Sequence, residues 1–150
     1  MSPNRQLEAA AQSLGTLLKR AEQAMLRSKN AALKPIGLTL GQYVALSELE
    51  EQQGITAATL ARACFVSPQA MMILLKTMEQ QGLIARRAHP RHTNVLELNI
   101  TDVGQEALYG ARARMVPLEK KILSTFSDKE LKSFRASLAK FVAATESCPL

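Results

Sequence analysis

The sequence predicts a mainly α protein that carries one small β-hairpin, and three observations point there. Aromatic residues make up only 4% and Trp is absent, whereas strong helix formers such as Ala, Leu, Gln, Glu, Lys and Met abound. Apolar residues recur at alternating spacings of four and three near both ends of the chain, the stripe of a helix lying along other helices. Convincing period-two alternation is confined to "LIARR" and "NVLELNI", on either side of "AHPRHT".

Taken in order, the first helix is expected over residues 6–33. Its stripe is Leu7, Ala11, Leu14, Leu18, Ala21 and Met25, and "KPIGL" ends it through Pro35 and Gly37. Twenty-eight residues extend about 42 Å, against a diameter of about 40 Å for a compact globule of this size. Such a helix spans its own domain, so Leu7, Leu14 and Leu18 are expected to meet a second copy. Thr39 and Gln42 form a capping box that opens a helix over residues 40–52, closed by Gly54. Thr56 caps a short helix, "AATLARA", anchored by Leu60, and "CFV" makes a tight turn. Ser67 caps the next helix with Pro68 at its first position, where the missing N–H does no harm. That helix is expected to reach Gln81 and stop at Gly82.

The two strands follow, with "AHPRHT" as the hairpin loop. Thr101 and Asp102 open a long helix carrying Leu108, Ala111, Met115, Leu118 and Ile122, which Pro117 is expected to bend. Ser127 and Glu130 form a second capping box, opening a last helix with Leu131, Phe134, Leu138 and Phe141 inward. The expected architecture is one domain, 1–150. A helix-turn-helix with a β-hairpin wing occupies 38–101, and dimerisation helices occupy 1–36 and 102–150, with Leu131 and Leu138 joining the dimer interface.

A formal net charge of +6 is unevenly placed. Residues 52–96 hold Arg62, Lys76, Arg86, Arg87 and Arg91 against one acid, Glu79. Clustered positive charge points to a polyanion, and nucleic acid is the commonest in the cytosol. The two cysteines, Cys64 and Cys148, follow no disulfide or metal spacing; Cys64 is read as a packing residue and Cys148 as part of the tail. The N-terminus lacks the apolar core of a signal peptide, and the longest apolar run is too short to span a bilayer. A soluble, cytoplasmic protein is expected. Dinucleotide, phosphate-loop, zinc-protease and nucleophile-elbow motifs are missing, so neither an enzyme nor a cofactor is expected. "HPRH" places two imidazoles three apart but beside no thiol or carboxylate, and no metal site is expected.

In a helix-turn-helix the second helix enters the major groove with its N-terminal residues at the base edges. On the helix from Ser67, the residues expected to face inward are Ala70, Met71, Leu74, Leu75 and Met78. Ser67, Pro68, Gln69, Met72, Ile73, Lys76 and Thr77 are then expected to face duplex DNA. Gln69 suits adenine, Lys76 phosphate or guanine, and Met72 and Ile73 apolar contact. Arg62, Arg87, His89, Arg91, His92 and Asn94, on the flank and wing, are expected to hold the backbone or the adjacent minor groove.

From "LTLGQYVALSEL" through "ITAATLARACFVSPQAMMILLKTMEQQGLIARR" to "HPRHTNVLELNITDVGQEAL", the chain resembles the MarR family of winged helix-turn-helix regulators over roughly residues 38–110. The resemblance implies a homodimer on a palindromic operator, usually a repressor, released by a small ligand or oxidant. It also implies an effector pocket near Met25, Tyr43 and Met115. Two departures stand out: the family often has a polar or basic pair where Met72 and Ile73 stand, and the wing tip here carries Pro and His, so that DNA affinity is expected to be either modest or dependent on pH through His89 and His92. The competing reading is the same fold as a protein–protein module that holds a partner on its Met-rich face.

Overall fold

Hydroxyl side chains start the helices where the sequence places them. The computed structural model describes residues 3–88, 91 and 96–148, with side chains from residue 13 onward. Helix α1 (Pro3–Leu33) runs into a short 3-10 turn (Lys34–Ile36), and Gly37, at φ 76°, supplies the left-handed residue that ends it. Helix α1 begins three residues earlier than the sequence suggests, with Pro3 at its first position, where proline is tolerated.

Helix α2 (Leu40–Glu51) opens on the Thr39–Gln42 capping box, with both reciprocal bonds present. Thr56 caps α3 (Ala57–Ala63), and Ser67 caps α4 (Pro68–Gln80), each by accepting a backbone N–H. Strands β1 (Ile84–Ala88) and β2 (Leu96–Ile100) pair antiparallel, Ile84 opposite Ile100 and Ala88 opposite Leu96. Helix α5 (Asp102–Leu123) continues through Pro117, and α6 (Asp128–Glu146) opens on the complete Ser127–Glu130 capping box.

The hairpin has a third partner that the sequence does not announce. Ile55, between α2 and α3, bridges Leu98: the Gly54 N–H donates to the Leu98 carbonyl at 3.0 Å and the Leu98 N–H to the Ile55 carbonyl at 2.9 Å. One bridged residue has no alternation to betray it, yet it ties the wing to the helix-turn-helix.

Two units divide the chain at residue 115. The first holds the core, built from Leu33, Leu46, Leu49, Leu60, Met71, Leu75, Met78, Leu98, Leu108 and Met115. Polar locks set its helices in place. Gln42 is buried; its side-chain oxygen accepts the Thr39 N–H at 3.0 Å and its amide donates to the Gln81 side chain at 2.7 Å, joining the start of α2 to the end of α4. Asn30 of α1 accepts the Leu40 N–H at 3.1 Å, a second cap on α2. Thr101 donates to the Gly82 carbonyl and accepts the Gly104 N–H, fastening the start of α5 to the α4–β1 turn. Gly104 lies so close to the Leu83 carbonyl that a Cβ there would collide with it.

The second unit is different. Among the described residues 116–148 no side chain is buried, and Phe134 is 50% exposed, with Phe141 exposed as well. Within one chain, then, the stripe expected to face inward is not covered, because a pair of helices has too little partner surface to cover it. Phe126 and Phe134 stack on one another, ring centroids 6.2 Å apart. Along α1, residues 13–32 are likewise exposed or half-buried, and burial starts at Leu33.

Candidate nucleic-acid interface

Helix α4 is fixed by one face and presents the other. Met71, Leu75 and Met78, at spacings of four and three, are fully buried, with Leu74 packed beside them. The side chains opposite are all exposed: Ser67, Pro68, Gln69, Met72, Ile73, Lys76 and Thr77. Ala70 is exposed too, contrary to its expected inward position. A helix advances about 100° per residue, so Ala70 lies well round from Met71, and its short side chain cannot reach the core from there.

The start of α4 points its chemistry outward. Ser67 Oγ accepts the Ala70 N–H at 3.2 Å, and Pro68 has no N–H. The Gln69 N–H has no intrahelical acceptor, so backbone and amide donors both stand at one exposed residue. Lys76 lies two turns further along the same stripe. The Thr77 hydroxyl donates to the Ile73 carbonyl at 3.2 Å, so it supports the helix rather than standing ready for a ligand.

The preceding turn holds Phe65 at φ 55°, a backbone that favours glycine, with its ring 97% exposed. Cys64 beside it is half-buried against the core; burial, assisted by the Glu48 carboxylate, pushes its thiol up to about 11. The thiol is protonated near neutrality, as its reading as a packing residue requires.

Charge around α4 is sorted by pairing. Glu79, the segment's one acid, accepts from Arg86 Nε at 2.8 Å, and both side chains are largely covered. Arg62, Lys76, Arg87 and Arg91 are exposed, Arg62 donating to Thr59 at 3.3 Å and Arg87 standing opposite Glu97 in the hairpin register. His89, His92 and Asn94 lie outside the described residues. The sequence did not identify Arg86 as the internal partner; only the fold brings it across to Glu79.

Of the residues expected near an effector pocket, Met115 is buried in the core, Tyr43 packs half-buried against that core, and Met25 is exposed on α1. Of the expected dimer residues, Leu14 is exposed, and Leu18, Leu131 and Leu138 are half-buried. The Leu7 side chain lies outside the described residues. Among the described residues no group of three His, Cys, Asp or Glu side chains could hold a metal ion, and no single helix is long and apolar enough to cross a membrane.

Comparison with known proteins gives a consistent answer. The MarR family model matches residues 36–93, from the 3-10 turn into the wing. HTH-type transcriptional repressor Rv2887 of Mycobacterium tuberculosis is 32% identical over 127 residues, covering 85% of this chain and 91% of the relative. A crystal structure of that MarR family protein in complex with salicylic acid superposes with a TM-score of 0.66 at 32% identity, over 85% of this chain and 95% of the other. A mutant MarR from E. coli, complexed with operator DNA, matches with a TM-score of 0.80 over 86% of this chain and 93% of the other; at 20% identity it speaks for the fold alone. On identity and coverage together, with a core, a helix-turn-helix and a wing in that family's order, this chain belongs to the MarR family.

Proposed function

We propose that the protein is a homodimeric, ligand-responsive transcriptional repressor that grips operator DNA with α4 and the hairpin. The carrying observation is the outward stripe of α4, which includes Lys76 and is held rigidly from behind by Met71, Leu75 and Met78, with exposed Arg62 and Arg87 on the elements α3 and β1 that pack with it. Residues 38–101 form the reading lobe in this proposal. Gln69, Met72, Ile73 and Lys76 address the groove; Arg62, Arg87, His89, Arg91, His92 and Asn94 hold the backbone. Residues 1–36 and 102–150 pair two copies through apolar faces that one chain leaves exposed or half-buried, including Leu14, Leu18, Leu131 and Leu138. The relatives are regulators of transcription rather than catalysts, and a DNA reader of this kind works in the cytoplasm. The complex of Rv2887 with salicylic acid supports a small aromatic carboxylate as the class of effector.

A binding titration of the full-length protein on duplex selected from a random pool tests this. Affinity is expected to fall steeply with salt, because several phosphates are neutralised per dimer. The selected sequence is expected to be a palindrome with half-sites about one helical turn apart. Salicylate is the first effector to add, with release of the duplex expected. Binding that is indifferent to salt and sequence would transfer the exposed α4 face to a protein partner.

A further inference from the structure

The reading face of α4 has an unusual composition for a surface meant to touch a polyanion. Ile73 is 71% exposed and Met72 47%, and they share one stripe with Gln69 and Lys76 at positions i, i+3, i+4 and i+7. Neither apolar side chain serves the core, which Met71, Leu75 and Met78 already fill from the other side. Met72 and Ile73 are therefore open to a partner from outside, and the surrounding charge points to its kind. Exposed cations stand on α4 itself (Lys76) and on the two elements that pack with it, Arg62 on α3 and Arg87 on β1, while Glu79 is neutralised internally by Arg86. Duplex DNA suits that setting, and within its major groove the apolar feature is the C5-methyl group of thymine. Gln69, one turn before Ile73, carries the amide that pairs with both adenine N6 and N7.

We infer that Met72 and Ile73 read thymine methyl groups, with Gln69 on a neighbouring adenine, so that sequence preference rests on methyl contacts rather than on arginine–guanine bonds. This rests on the DNA-binding reading above, and the following experiment separates the two. In the selected duplex each dT is replaced singly by dU, which keeps every hydrogen-bonding group and removes only the methyl. Affinity is expected to fall about fourfold at one or more positions in each half-site, the worth of one buried methyl group. Met72→Ala or Ile73→Ala is expected to erase the dT/dU difference at its own position while leaving the salt dependence unchanged. Salt-dependent binding that tolerates dU at every position would overturn the inference and leave the proposed function standing. Discrimination that survives both variants would overturn it as well, as would variants that bind like the wild type, which would assign the face to a protein partner. Failure to bind any duplex would overturn the proposed function itself.

Discussion

Single residues in this chain matter through what stands next to them. Gly104 is required because the Leu83 carbonyl and Ile100 side chain occupy the space a Cβ would need. Gly104→Ala is expected to cost about 1–3 kcal/mol through this overpacking, seen as a lower urea midpoint with an unchanged slope. Cys64 offers a pH test. Its thiol ionises near 11 when folded, because burial and the Glu48 carboxylate disfavour the thiolate, against an ordinary value of 9.0. The unfolded chain thus loses this proton first, and the contribution of Cys64 to stability is present below pH 9 and lost as pH rises towards 11. Urea denaturation of wild type and Cys64→Ala across that window checks it, since the wild type is expected to lose more stability than the variant.

Elements divide their neighbouring charges between structure and ligand. On β1, Arg86 turns to Glu79 of α4 and Arg87 stays exposed. Arg87→Ala is expected to weaken binding to all duplexes alike and to lower the salt slope by about one for each phosphate that the guanidinium neutralises. Arg86→Ala is expected to leave the salt slope alone and to cost up to about 1 kcal/mol of stability, the range for a partly exposed ion pair. Gln69→Ala on α4 belongs to a third class, changing which sequence is preferred. The wing as an element depends on the Ile55–Leu98 bridge, which couples it to the turn that leads into α3. Its position beside α4 is therefore fixed from two sides, by that bridge and by the Thr101–Gly82 bond.

At the scale of the whole molecule, one chain is an incomplete object. Helix α1, 31 residues, extends about 46 Å, and none of residues 13–32 is fully buried within the chain. The segment 116–148 also lacks a buried side chain while exposing Val116, Ile122, Phe126, Phe134 and Val142. Apolar surface on this scale marks an interaction site, and in the proposed function it is where two copies pair. Light scattering is expected to give twice 16.4 kDa, and the melting temperature is expected to rise with protein concentration, as for any dimer linked to folding. Leu14→Glu and Leu138→Glu are each expected to shift the population towards monomer at micromolar concentration; a wild type that scatters as a monomer would refute the pairing.

By itself the sequence determined the element order, the caps at Thr39, Thr56, Ser67 and Ser127, and the outward stripe of α4 from Ser67 to Thr77. These are local matters. A hydroxyl three residues before an amide, or an apolar period of 3.6, acts within one helix and is written in adjacent letters. Only the tertiary structure decided that Arg86 serves Glu79, that Ile55 joins the hairpin, that Gln42 holds Gln81, and that Gly104 is hemmed in by Leu83. It also decided that Phe134 and Phe141 are exposed within one chain. Each of those outcomes depends on which surfaces the packed helices bring within a few ångströms, and sequence spacing carries no record of distances across the fold.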